Sequence, residues 1–202
     1  MIIMYKNLIK RALDFTIALS ILILLLPFFF VLAIIIKLDS KGPVFFSQER
    51  VGKDLRHLLI FKFRTMTNEK REVGTSPIIG RSKGVTNVGY YLRRFKIDEL
   101  PQLVSVLKGD MSLIGPRPSI PSHLNQMTKI EKMRYSVNPG LSGLAQVSGN
   151  IHISWSERYQ KDLEYIRNIS FLNDMRIIIR TAQIIVIGEA YFVKKPLRFE
   201  RD

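Results

Sequence analysis

Phe15 to Ile36, FTIALSILILLLPFFFVLAIII, is a run of 22 residues without a charge, in which only Thr16 and Ser20 are polar. As an α-helix it extends about 33 Å, long enough to cross a hydrocarbon core. It is too long for the apolar part of a secretory signal, and no small-x-small cleavage site follows it. Two features argue against a simple span. Pro27 sits in its middle, where it removes a backbone hydrogen bond and crowds the preceding turn, so the spacing predicts a kink or break there. Both flanks are basic, with Lys6, Lys10 and Arg11 before the run and Lys37, Lys41, Arg50 and Lys53 after it. Basic flanks are held on the cytoplasmic side. A helix that enters, breaks at Pro27 and returns to the same face satisfies both features. An ordinary single-pass anchor with a tolerated proline is the alternative, and a soluble core helix accommodates so many uncharged residues poorly.

The run explains an otherwise odd composition. Mean hydropathy is +0.09 in a chain that is 24% charged, so the apolar residues must be concentrated. At 202 residues the chain is one domain or two, and 47% apolar content excludes a disordered or collagen-like class. Lys and Arg number 31 against 17 Asp and Glu, a net charge of +14. Such a surface seeks anionic partners: nucleic acid, phosphorylated small molecules or anionic lipid. The absence of cysteine excludes disulfides, thiolate nucleophiles and Cys-ligated metals, and three scattered histidines argue against a His-rich metal site.

Residues 1–40 therefore read as a re-entrant membrane helix and 41–202 as a cytoplasmic catalytic domain. The expected fold is α+β and mostly helical, with a small β-hairpin and interfacial amphipathic helices. Residues 39–66 carry the β signal, turning at Gly52-Lys53-Asp54. In Phe61-Lys62-Phe63-Arg64 the period-2 alternation puts Lys62 and Arg64 on one face, either solvated or aimed at a phosphate. Residues 67–88, with four glycines and prolines together, read as a surface loop or a lid over an anion, carrying Lys70, Arg71, Arg81 and Lys83. A helix is expected from Asp98, as its N-cap, to Lys108, with Gly109 as its stop. Residues 122–136 look helical. Trp155 to Ile166 is amphipathic, and residues 174–187 suit a helix at a membrane surface or a core helix.

Asp98-Glu99 is the sharpest chemical candidate. Carboxylates at a helix start, with Arg93 and Arg94 just upstream, favour their ionised form. One can ligate Mg²⁺ and the other can attack phosphorus. Taken alone, the pair is simply an acidic first turn. Arg117, between Pro116 and Pro118, is presented at low entropic cost and suits a phosphate. Together with the apolar run and the basic domain, these residues fit phosphoryl transfer between a soluble phosphorylated donor and a lipid acceptor.

The chain resembles the small monotopic phosphoglycosyl transferases, the bacterial sugar transferases that start glycan assembly on polyprenol phosphate. The resemblance runs through Lys10-Arg11-xx-Asp14, the interruption at Pro27, Gly42 to Gly52, Phe61 to Met66, Leu92-Arg93-Arg94, Asp98 to Leu103, Gly109 to Pro118 and Pro139 to Gly149. It implies that Asp98 is a nucleophile toward the β-phosphate of a UDP-sugar, releasing UMP and leaving a phosphosugar on its carboxylate. Polyprenyl (undecaprenyl) phosphate would then take the sugar phosphate, the first membrane step toward capsule, exopolysaccharide, O-antigen or glycoprotein. It also implies Mg²⁺ at Glu99 and Asp98, phosphate or nucleotide binding by Arg93 and Arg117, and residence at the cytoplasmic face of the bacterial inner membrane. Asn138 and Asn150 stand where the family usually carries arginine. The sugar and the oligomeric state stay open, and a homodimer is compatible. A membrane-anchored basic module for nucleic acid or anionic lipid is the alternative. It leaves Asp98-Glu99 without a purpose, and the chain has no recognisable nucleic-acid motif.

Overall fold

The uncharged run forms the centre of one helix, α1 (Lys10–Asp39), entered through a five-residue π-helical turn, Tyr5–Ile9. The structure, a computed structural model, describes residues 4–67, 81–188 and 191. Every residue of α1 is helical, so the break expected at Pro27 is absent. The proline forfeits one hydrogen bond, but apolar turns on both sides keep theirs. Asp14, Ala18, Leu32 and Ile36 are buried, with Ile21, Leu22 and Phe29 partly buried between them. This stripe keeps helical phase through Pro27. Its first half packs on Leu103, Val106 and Met111, and its second half on Phe63 and Leu92.

Polar contacts tie both ends of α1 to the same body. Near its start, the Asp14 carboxylate accepts from Ser112 Oγ at 2.6 Å and Leu113 N at 3.1 Å. Arg11 donates to the carbonyls of Val106 and Leu107 at 2.5 and 2.7 Å. At its C-terminal end, Arg64 donates to Ile36 O at 3.0 Å, Ser40 O at 2.6 Å and Pro43 O. Helix ends leave such carbonyls without partners, and a guanidinium fork satisfies several at once.

The predicted hairpin is present. β1 (Phe45–Val51) runs antiparallel to β2 (His57–Phe63), in register from Phe45 with Phe63 to Val51 with His57. Helix α2 (Asn87–Arg94) is capped by Thr86, whose hydroxyl accepts from Gly89 N at 2.9 Å, and by Asp39, which accepts from Val88 N at 3.1 Å. The predicted loop falls largely at residues 68–80, outside the described residues together with Lys70 and Arg71.

The helix expected from Asp98 begins differently. Lys96 adopts a left-handed backbone (φ 57°), Ile97–Gln102 forms a 3₁₀ turn, and α3 spans Leu103–Lys108. Asp98 is therefore not an N-cap. Pro101 has no N–H to give Ile97, so the i→i−4 ladder cannot begin there. Gly109, at φ 92°, ends α3 as expected.

A parallel pair, β3 (Ser112–Ile114) with β4 (Gly140–Ser142), was not anticipated. A Cβ on Gly140 would lie 2.1 Å from Gly115 N, so only glycine permits this approach. Residues 122–136 are not one helix but two 3₁₀ segments, Pro121–Gln126 and Glu131–Ser136. Between them Met127 is extended and packs with Val51, Tyr135 and Tyr159, and Thr128 exchanges hydrogen bonds with Glu131 to start the second segment. The short α4 (Leu144–Val147) precedes α5 (Trp155–Arg167), which opens on a Ser154–Glu157 capping box. In α6 (Phe171–Ile187), Ile177 and Ile184 are buried while Phe171, Leu172, Ile179, Val186 and Ile187 are exposed. The fold is α+β and mostly helical.

Candidate active site

The left-handed turn at Lys96 and the 3₁₀ turn after it present Asp98 and Glu99 against β2. Glu99 accepts from Lys62 Nζ at 2.5 Å through Oε1 and from both terminal nitrogens of Arg117, at 2.6 Å through Oε1 and 3.2 Å through Oε2. These cations hold the Glu99 carboxyl well below the usual carboxylate range despite its burial. Asp98 behaves oppositely. Burial, then the neighbouring Glu99 charge, raises its pKa to about 6, against the pull of Lys62, Arg93 and Lys96. The sequence argument that dipole and arginine dominate is thereby corrected: desolvation outweighs them. Asp98 Oδ1 is buried and has no hydrogen-bond partner among the described residues.

Arg117 is held by its own backbone. Four successive carbonyls, Pro116 to Ser119, accept from Gly140 N at 2.9 Å, Arg134 Nη2 at 2.7 Å, Arg50 Nη1 at 3.3 Å and Val51 N at 2.8 Å. Arg134 is itself fixed by Asp162 at 2.6 Å, a pair buried on both sides. The Pro-Arg-Pro segment thus aims its guanidinium from a rigid base.

Asp98, Glu99, Lys62, Arg93 and Arg117 all line one open cavity of 490 Å³. Its wall carries eight basic side chains against three carboxylates. Arg64 is absent from that wall. It lies beyond the end of β2, 5% exposed, and serves the end of α1. Asn138 is absent too. It donates to Gly109 O at 2.8 Å, whereas Asn150, in a left-handed conformation, does line the cavity.

Several lining residues escaped the sequence reading. Arg50 is desolvated enough, beside Arg117, for its pKa to fall to about 10. Trp155, half exposed, carries Arg158 over its ring at 4.3 Å and meets His123 edge-on at 4.6 Å. Arg50 lies within the Gly42-to-Gly52 block without a role assigned there, and positions 123, 134 and 155–158 hold no motif spacing. The register of β1 with β2 and the packing of α5 bring them together.

Among the described residues no three acidic or histidine side chains gather as a metal cage. Asp98 and Glu99 nonetheless fit Mg²⁺. Glu99 Oε2 makes only the longer Arg117 contact and keeps a lone pair, and Asp98 Oδ1 has no protein donor. Mg²⁺ is commonly held by one or two carboxylates, with substrate phosphates completing the shell. A paired carboxylate site in a cation-lined cavity has the chemistry to hold phosphorylated groups, and it stands in a chain with a helix long and apolar enough to cross a membrane.

The profile of the bacterial sugar transferase family matches residues 5–188. The chain is 36% identical over 181 residues to the uncharacterized sugar transferase EpsL of Bacillus subtilis, covering 90% of this chain and 89% of that protein. It is 39% identical over 186 residues to the UDP-N-acetylgalactosamine-undecaprenyl-phosphate N-acetylgalactosaminephosphotransferase of Aeromonas hydrophila, covering 89% and 44%. It is 37% identical over 184 residues to the UDP-glucose:undecaprenyl-phosphate glucose-1-phosphate transferase of Escherichia coli, covering 87% and 40%. The chain thus spans nearly all of the first relative and less than half of the other two. It belongs to the bacterial sugar transferase family.

Proposed function

We propose that the chain transfers a sugar 1-phosphate from a UDP-sugar to polyprenyl phosphate and releases UMP. The observation that carries this is Asp98: a buried carboxylate with one unpartnered oxygen, flanked by an ionised Glu99 and opening on a basic cavity. In the first step an Asp98 oxygen attacks the β-phosphorus and the bond to the UMP oxygen breaks. In the second, an oxygen of polyprenyl phosphate attacks the same phosphorus and Asp98 leaves as a carboxylate. A pKa near 6 keeps Asp98 ionised at neutral pH while leaving it a better nucleophile than an ordinary aspartate. Arg117, Arg93 and Lys62 offset the charge of the diphosphate. Mg²⁺, held by Glu99 and Asp98, would supply charge neutralisation at the leaving phosphate.

The membrane part of the proposal rests on α1, which contains an 18-residue stretch of mean hydropathy 3.2. Both of its halves pack on one body, which cannot lie on both sides of a bilayer. This supports residence in one leaflet, and the basic flanks support the cytoplasmic face. The relatives act on different sugars at similar identity to this chain, so the donor sugar is left unassigned.

The test uses the purified full chain with a panel of UDP-sugars. With the right donor and no lipid, UMP should form up to one equivalent, and a phosphosugar adduct should appear on the Asp98 peptide by mass spectrometry. EDTA should abolish both, and Mg²⁺ should restore them. UMP that forms only when polyprenyl phosphate is present would replace the covalent route with direct transfer.

A further inference from the structure

A second cavity of 400 Å³ lies beside the start of α1, and it shares no lining residue with the first. Four cations from two elements converge on it: Lys6, Lys10 and Arg11 from the N-terminal helix and Lys53 from the β1–β2 turn. Its floor includes Ile114, Val137 and Ile169. Two of the cations already have partners. Lys10 pairs with Asp174 at 2.6 Å, and Arg11 serves the end of α3. Lys6 and Lys53 are exposed and form no ion pair among the described residues. The one carboxylate in the wall, Asp14, is satisfied by Ser112 and Leu113. Surplus positive charge therefore remains over an apolar floor.

Depth settles which anion fits. Arg11 stands one helical turn before Phe15, the first residue of the uncharged run. With α1 in a leaflet, the cavity sits at the level of the phosphate groups. We propose that it binds the phosphate of an anionic phospholipid of that leaflet, with Lys6 and Lys53 on the phosphate and the apolar floor under the glycerol and first methylenes. Such a lipid would clamp the N-terminal helix to the β-hairpin turn. The proposal rests on the membrane reading of α1 and is independent of the chemistry at Asp98.

The experiment titrates the full chain in neutral detergent with dihexanoyl phosphatidylglycerol, dihexanoyl phosphatidylcholine or inorganic phosphate, and follows the thermal midpoint. The phosphatidylglycerol should raise it saturably, and the other two should not. Lys6→Gln with Lys53→Gln should weaken that response about tenfold or more, as loss of two surface cations predicts. Lys41→Gln with Lys129→Gln, exposed lysines outside the cavity, should leave it unchanged. An equal response to phosphatidylcholine, or an equal loss in the two double variants, would overturn the site in favour of general adsorption. Saturation by inorganic phosphate at the same concentration would make it a soluble-anion site. The readout needs no turnover, so a chain that binds phosphatidylglycerol but releases no UMP would refute the transferase proposal alone.

Discussion

Asp98 and Glu99 are adjacent carboxylates with opposite environments, and each difference has a measurable sign. Asp98 has its folded pKa raised from 3.8 to about 6. A raised carboxyl contributes stability that is complete below its unfolded pKa and is lost as pH rises through the folded value. At neutral pH the ionised Asp98 is thus a cost, on the order of 1–3 kcal/mol. Asp98→Asn should lose UMP release and the adduct, yet melt several degrees higher than the parent at pH 7.5. That gap should close between pH 6 and pH 4 in melting curves of the two proteins. A capping role would give the reverse pattern, with activity kept. The parent's single-turnover UMP burst should rise with pH as Asp98 ionises and then level off. Glu99→Gln should cost about 10²-fold in that burst. It should also move the rising limb to lower pH, because the Glu99 charge is what adds to burial in lifting Asp98. A limb that does not move in this variant would uncouple the two groups. The sequence made the pair visible but not this division of labour, since the pKa values depend on burial and on Lys62, which is remote in sequence.

Arginines decide how the elements sit on one another. Arg11 closes the end of α3, Arg64 closes the end of α1, and Arg134 with Arg50 holds the carbonyls of the Pro-Arg-Pro segment. Of these, Arg64 reads in sequence as a candidate for phosphate. Lys62 was legible, because alternation within β2 governs it and it does reach Glu99. Arg64 was not, because β2 ends at Phe63 and alternation stops with the strand. The distinction is testable. Arg64→Met removes the donor from the carbonyls of Ile36, Ser40 and Pro43, and should lower stability by about 2–4 kcal/mol while leaving the donor KM unchanged. Denaturant titration and donor saturation curves measure the two effects separately. A raised donor KM with unchanged stability would return Arg64 to the site. The same limit explains the segments that sequence pattern misjudged. The 3₁₀ turns at 97–102, 121–126 and 131–136 are set by Pro101, by the inward Met127 and by Thr128, single residues that periodicity averages away. The β3–β4 pair is three residues long, below the reach of any pattern.

At the scale of the whole molecule the question is where the bilayer lies. Composition and the 22-residue run made a long apolar helix legible, and the basic flanks are the ground for expecting a same-side return. The anticipated mechanism, a break at Pro27, is not what the structure contains. Instead both arms of an unbroken α1 are bound to one body, by Arg11 and Asp14 near its start and by Arg64 and Phe63 near its end. If α1 lies in the membrane as proposed, two ends tied to one body place both flanks on one side of it, whatever the angle at Pro27. The exposed apolar face of α6, with Ile179, Val186 and Ile187, would suit the headgroup region on the same reading. The chain has no cysteine, so single introduced thiols report topology without background. Met4→Cys and Lys41→Cys place one on each flank of α1, at residues exposed in the structure. In intact cells both should resist an impermeant maleimide added outside, and in inverted membrane vesicles both should react. Labelling of residue 4 alone in intact cells would mean that α1 crosses the bilayer. The contacts of its first half with Leu103, Val106 and Met111 could not then exist in the membrane-bound protein.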